Sequence, residues 1–200
     1  MTVIYSNFHD SDTYLLRGIW EGLDARVIEL RLDDGYLEER GRLDDPTIPS
    51  DSSRKEKEIE EINRAIESEE EILIVCGHGT EDGCLSPHFD YTLSSSNKDM
   101  IRAKRFIGIW CNALTFAKKN NIPGFFSSMF ITNTLEADYM GMGNVGKERI
   151  KESEMKFVNT LNSLLRNNIP MDKWKEAFTC IVDTSNEVEV FNFTSLGYME

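Results

Sequence analysis

Two short apolar runs, each closing on a residue able to carry chemistry, limit most strongly what this chain can fold into. Residues 71–79 read Glu-Ile-Leu-Ile-Val-Cys-Gly-His-Gly, and residues 105–113 read Arg-Phe-Ile-Gly-Ile-Trp-Cys-Asn-Ala. Short runs rich in β-branched residues and bounded by turn chemistry are the mark of strands buried on both faces of a parallel sheet. Neighbouring strands lie about 4.8 Å apart. If these two are neighbours, His78 and Cys111 emerge side by side at the carboxyl edge, where open α/β sheets place their ligands.

The remaining chain supplies the other layers. Residues 2–5 and 26–30 read as the first two strands, with a helix between them in which Asp12 is the cap and Leu15, Leu16, Ile19, Trp20 and Leu23 fall at helical spacing. Pro49 and Ser50 precede a helix striped by Ile59, Ile62 and Ile66. Residues 80–97 carry Asp-Gly, a proline and three serines, and read as a loop. A helix over 112–120, a fifth strand over 126–132, an amphipathic helix over 147–166, a short helix around Trp174 and Phe178, and a closing strand over 188–193 complete the expectation. The alternation predicts one α/β domain over residues 1–200, a three-layer αβα sandwich with a mostly parallel sheet.

Charge narrows the partners. A formal net charge of −13 over 200 residues leaves no basic patch to displace counterions from a nucleic acid or to meet an anionic membrane, and it favours a basic substrate or partner. Residues 33–70 hold 14 Asp or Glu against 6 Lys or Arg, a solvated loop and helix face. No apolar stretch is long enough for a membrane span, and the start of the chain lacks a basic segment followed by an apolar one. A cytoplasmic location is the expectation. Four cysteines in a chain of this size are expected as free thiols, with Cys76 and Cys180 in the core.

Acyl transfer needs a thiolate, a base that returns a proton to the leaving amine, and donors for the developing oxyanion. Cys111, at a strand-to-helix junction whose helix dipole favours the thiolate, is the expected nucleophile. His78 is the expected acid and base. The backbone amides of Gly79 and Cys111 are the expected oxyanion hole, with Gly79 leaving room for a carbonyl. This chemistry calls for no cofactor and for a protein or peptide substrate.

A strand ending in His-Gly, followed some tens of residues later by a strand ending in cysteine, resembles the caspase-like (clan CD) cysteine peptidases, whose relatives include gingipains, clostripain, legumain, separase and bacterial CHAT proteins. The resemblance covers residues 1–135 and implies a His78–Cys111 dyad on adjacent third and fourth strands. Trp110-Cys111-Asn112-Ala113 departs from the caspase Gln-Ala-Cys signature, and the 33 residues from His78 to Cys111 fall short of the caspase spacing of about 50. Both departures point to a bacterial-type relative. The resemblance places the pocket for the residue before the scissile bond among the loops after the first and fifth strands. There Asp10, Asp12, Glu136 or Asp138 could select a basic side chain, and Asn112 could shape the site.

Two other readings use the same residues. Cys76, His78, Cys84 and His88 are four possible zinc ligands within 13 residues, although their spacing matches no common zinc pattern. A catalytically silent caspase-like module would use the acidic 33–70 segment as a partner surface.

Overall fold

The computed structural model describes residues 1–31, 52–88, 90–143 and 145–200, and for residues 11, 12 and 52–54 the backbone alone. The chain runs β1 (Thr2–Asn7), α1 (Ser11–Tyr14) tightening into a 3-10 turn (Leu15–Ile19), β2 (Arg26–Arg31), α2 (Ser52–Ser68) and β3 (Ile72–Cys76). Three short strands follow, β4 (Gly79–Thr80), β5 (Gly83–Leu85) and β6 (Tyr91–Ser94), then β7 (Arg105–Ile109), α3 (Ala113–Asn120) and β8 (Gly124–Phe126). The last third holds α4 (Thr134–Tyr139), α5 (Lys147–Arg166), α6 (Trp174–Ile181), α7 (Glu187–Thr194) and β9 (Gly197–Met199). Pro49, Ser50 and residues 33–51 of the acidic segment lie outside the described residues.

The central sheet has six strands in the order β2-β1-β3-β7-β8-β9. All its pairings are parallel except that of β9, which runs antiparallel to β8. Successive residues of a strand face opposite sides, and the interior strands are apolar on both. Val3, Tyr5, Ile74, Cys76, Ile107, Ile109 and Phe125 pack with residues of α5, α6 and α7 on one face. Ile4, Leu73, Val75, Phe106 and Phe126 pack with residues of α2 and α3 on the other. Helices on both faces of a mostly parallel sheet make this an α/β protein. On the first face Phe125 meets Trp174 at 5.2 Å and Phe178 at 6.0 Å between ring centroids, and Phe178 meets Phe157 at 5.4 Å.

Five sequence-based expectations need correction. Residues 80–97 contain a three-stranded antiparallel sheet, β4-β5-β6, whose strands are too short to show a period. The fifth strand of the central sheet ends at Phe126 instead of continuing to residue 132, because Ser127 and Ser128 turn back to accept from Leu114 and Asn112 through their carbonyls. Residues 188–193 form helix α7 instead of a strand: the Asn186 side chain accepts from the Val188 N–H as a cap, and packing of Val188 and Phe193 overrides their β-propensity. The closing strand is Gly197–Met199. Cys180 is exposed, since it sits two residues past the buried Phe178 and so falls on the opposite side of α6. The helix after β1 starts from Asp10 instead of Asp12, with Asp10 Oδ1 accepting from the Thr13 N–H at 2.8 Å.

Phe125 is fully buried under the aromatic group. Phe125→Ala is expected to destabilise the fold by about 3–5 kcal/mol, the cost of an unfilled aromatic cavity, as read from the midpoint of chemical denaturation.

Candidate active site

The strand order reverses direction at β1, since the chain goes from β1 to β2 on one side and returns to place β3 on the other. The segment after β1 packs through Leu15, Leu16 and Ile19 into the α5 face. The segment after β3 enters the small sheet, whose Cys84 and Leu93 pack into the opposite face. Connections that leave adjacent strands toward opposite faces open a crevice at their carboxyl ends. Candidate residues from three strand ends meet there.

Register brings two of them together. Cys76 of β3 pairs with Ile109 of β7, and His78 and Cys111 each lie two residues beyond that pair. The ladder continues one further bond, the Gly77 N–H donating to the Ile109 carbonyl at 3.1 Å, before both segments turn. His78 and Cys111 line one pocket, walled by Leu15, Leu16, Phe130, Phe157 and Val158. The Cys111 Sγ lies 4.0 Å from the Phe130 carbonyl oxygen.

The backbone is held on both sides of His78. Gly77 has φ +147, and a Cβ there would stand 2.7 Å from the Ser6 carbonyl oxygen at the end of β1. The His78 carbonyl accepts from the Leu85 N–H at 2.9 Å. A Cβ on Gly79 would stand 2.1 Å from the Trp110 ring, so the room expected there for a carbonyl holds the indole instead. Trp110 Nε1 donates to the Thr80 carbonyl at 3.1 Å, tying the strand end before Cys111 to the small sheet.

Cys111 itself sits in a tight turn. Asn112 adopts the left-handed conformation, φ 68 and ψ 20, which asparagine tolerates better than most residues, and its side chain makes no cap hydrogen bond. Its N–H donates to the Ser128 carbonyl, and the Ala113 N–H to the Trp110 carbonyl, both at 3.1 Å. Asn112 therefore shapes the turn through its backbone and is not among the residues lining the pocket.

The carboxylates proposed from the sequence separate. Asp10 Oδ2 stands 2.7 Å from His78 Nε2, while its Oδ1 accepts from the Thr13 N–H and hydroxyl, both at 2.8 Å. Burial works to raise the Asp10 carboxyl, but the Thr13 N–H, His78 and the Thr13 hydroxyl outweigh it and hold it below its ordinary value. Asp10 thus belongs to the histidine and not to a substrate side chain. The side chain of Asp12 lies outside the described residues. Glu136 lines the pocket but also accepts from the Thr132 N–H at 2.8 Å and its hydroxyl at 2.9 Å. Asp138 is exposed and does not line the pocket.

A carboxylate missed in the sequence, Glu154 of α5, lines it instead. The signal was present, since Glu154 stands four residues after Ile150 and three before Phe157 on the apolar stripe of that helix.

The other cysteine and histidine residues are held elsewhere. Burial pushes the Cys84 thiol up to about 12 and raises Cys76 well above its ordinary value, so both remain protonated. His88 stands 2.6 Å through Nδ1 from Glu58 and 2.9 Å through Nε2 from the Arg31 carbonyl. Among the described residues no three His, Cys, Asp or Glu side chains converge as metal ligands, and no helix is long and apolar enough to cross a membrane. Comparison with protein families, characterised proteins and solved structures finds no match to this chain.

Gly77→Ala is expected to destabilise the protein and shift the His78 backbone, because the added methyl meets β1 backbone in a conformation that L residues rarely adopt. Thermal melts and histidine NMR shifts read both effects. Asp10→Asn keeps an oxygen for the helix cap but removes the charge beside His78. A carboxyl whose folded pKa is lowered stabilises above its unfolded value, about 3.9, and loses that contribution as pH falls through the folded value. The stability advantage of the wild type over Asp10→Asn is therefore expected near pH 6 and to disappear toward pH 2, measured by denaturant unfolding at each pH.

Proposed function

We propose that this protein is a cysteine endopeptidase of caspase-like architecture, acting through Cys111 and His78 with Asp10 positioning the imidazole. The observation that carries the reading is the meeting of three strand ends: Cys111 and His78 line one pocket, and a carboxylate stands 2.7 Å from the histidine. Adjacent, parallel third and fourth strands agree with what the sequence resemblance implies. Nucleophile, base and a group that orients the base form a recurrent geometry for covalent catalysis.

In this reading Asp10 holds the Nε2 proton of His78 and leaves Nδ1 for the thiol. Cys111 transfers its proton to His78 and attacks the scissile carbonyl. The backbone N–H of Cys111 receives the charge on the oxyanion. As the C–N bond breaks, His78 protonates the leaving amine, and a thioester to Cys111 remains. His78 then takes a proton from water, whose oxygen attacks the thioester, and the released thiolate regains the proton.

Cleavage after a basic residue is part of the proposal. Apolar walls and carboxylates at Glu136 and Glu154 suit a side chain with an aliphatic stem and a cationic tip. The pocket has a volume of about 50 Å³, and lysine, with its unbranched stem, is the basic side chain proposed for it.

Cys111→Ala is expected to abolish cleavage of lysine-containing peptides, and His78→Ala to reduce it about 10²- to 10⁴-fold, with little change in melting temperature. Asp10→Asn is expected to lower the rate about 10²-fold with a smaller change in KM. Iodoacetamide at pH 6 should alkylate Cys111 ahead of Cys180, which is exposed and therefore the proper comparator. Failure of the wild type to cleave any member of a varied peptide library, together with an unreactive Cys111, would favour the silent interaction module.

A further inference from the structure

Beside the catalytic pocket lies a much larger cleft, about 910 Å³, that the chemistry above does not use. Its walls come from the segment after β1, the segment that enters α4, and the first turns of α5. Leu15, Thr132 and Glu154 line both hollows, and Asp10, which holds His78, lines the cleft. These three residues form the border between the two hollows. A chain seated over Cys111 must run across the cleft or away from it.

The cleft carries cations as well as carboxylates. Lys147 and Lys151, one helical turn apart on α5, line it. Both are exposed, and neither makes an ion pair among the described residues. They set two cations side by side in a protein of net charge −13, in a cleft whose lining also holds the carboxylates Asp10 and Glu154. Tyr14 and Leu135, 61% and 79% exposed, line the cleft as well, and Ile150 supplies a buried apolar floor.

We propose that this cleft is an extended-substrate subsite that takes an acidic side chain of the peptide, at a position removed from the scissile bond, on Lys147 and Lys151. The inference rests on the peptidase reading for the identity of the ligand and deepens it. A substrate of this kind carries a basic residue at the bond to be cut and a Glu or Asp some residues away. Repulsion from the acidic protein surface acts at long range and is screened beyond about 8–10 Å in physiological salt, whereas the contact with the two lysines acts inside that distance. The subsite thus selects by local pairing despite an unfavourable overall charge.

The test uses peptides carrying Glu, Gln or Lys at each position in turn, presented to the wild type for cleavage and to the Cys111→Ala protein for binding by fluorescence anisotropy. At one position not adjacent to the scissile bond, Glu is expected to bind about fivefold more tightly than Gln, the scale of two partly exposed ion pairs. The Lys147→Glu/Lys151→Glu protein should prefer Lys at that same position. Equal affinities for Glu and Gln everywhere, an acidic preference that survives the double substitution, or no peptide binding at all would each overturn the inference. Failure of the peptidase reading shows itself differently: the wild type cleaves nothing, while charge selection in the binding arm persists and moves with the two lysines.

Discussion

The pairing of β3 with β7 is the constraint from which the site follows. Five residues of each strand are in parallel register, from Ile72 opposite Arg105 to Cys76 opposite Ile109. Both strands are buried over all but their first residue. A slip of one residue would turn every inward side chain to the wrong face, and two apolar cores, one on each side of the sheet, resist it. The same register that satisfies the cores sets His78 and Cys111 at equal distance beyond the last pair. The site is a by-product of core packing carried two residues past the sheet edge.

Past that edge, the chain is held by small residues and by side chains with two tasks. Gly77 lets β3 turn against Ser6, and Gly79 admits the Trp110 ring. Asp10 caps the turn after β1 with one oxygen and meets His78 with the other. The Tyr5 hydroxyl donates to the Thr13 carbonyl at 2.7 Å, and the Asn7 side chain donates to Glu29 at 2.7 Å and accepts from the His9 N–H at 2.9 Å. This network fixes the Asp10 segment to the end of β1 and braces that end on Glu29 of β2. Orientation of an imidazole by a carboxylate depends on such rigidity, because a hydrogen bond weakens steeply when its geometry drifts.

Charge is distributed to match this division of labour. The protein as a whole is acidic, yet the acidic groups at the crevice have separate duties. Asp10 serves the histidine and Glu136 serves the Thr132 turn, while Glu154 is set among apolar side chains on the α5 stripe. Lys147 and Lys151 line the neighbouring cleft.

How much was legible in advance divides along the range of the interactions. The apolar runs at 71–76 and 105–110, the helix at 147–166 and the candidate pair His78 and Cys111 could be read from residue order, because strand and helix burial impose periods of 2 and 3.6 on the sequence. The strand at 188–193 and the loop at 80–97 could not be read correctly. Val188 and Phe193 favour a strand locally, and only their packing and the Asn186 cap make a helix of them. The partners of the site residues were likewise hidden, since Asp10 and His78 are 68 residues apart, and no local pattern distinguishes a carboxylate that meets an imidazole from one that meets water. Sequence alone determined the long apolar runs, the amphipathic helix of residues 147–166 and the candidate pair His78 and Cys111. Tertiary structure decided which carboxylate reaches the histidine and which residues line the two hollows, because these depend on distances between segments that share no periodicity.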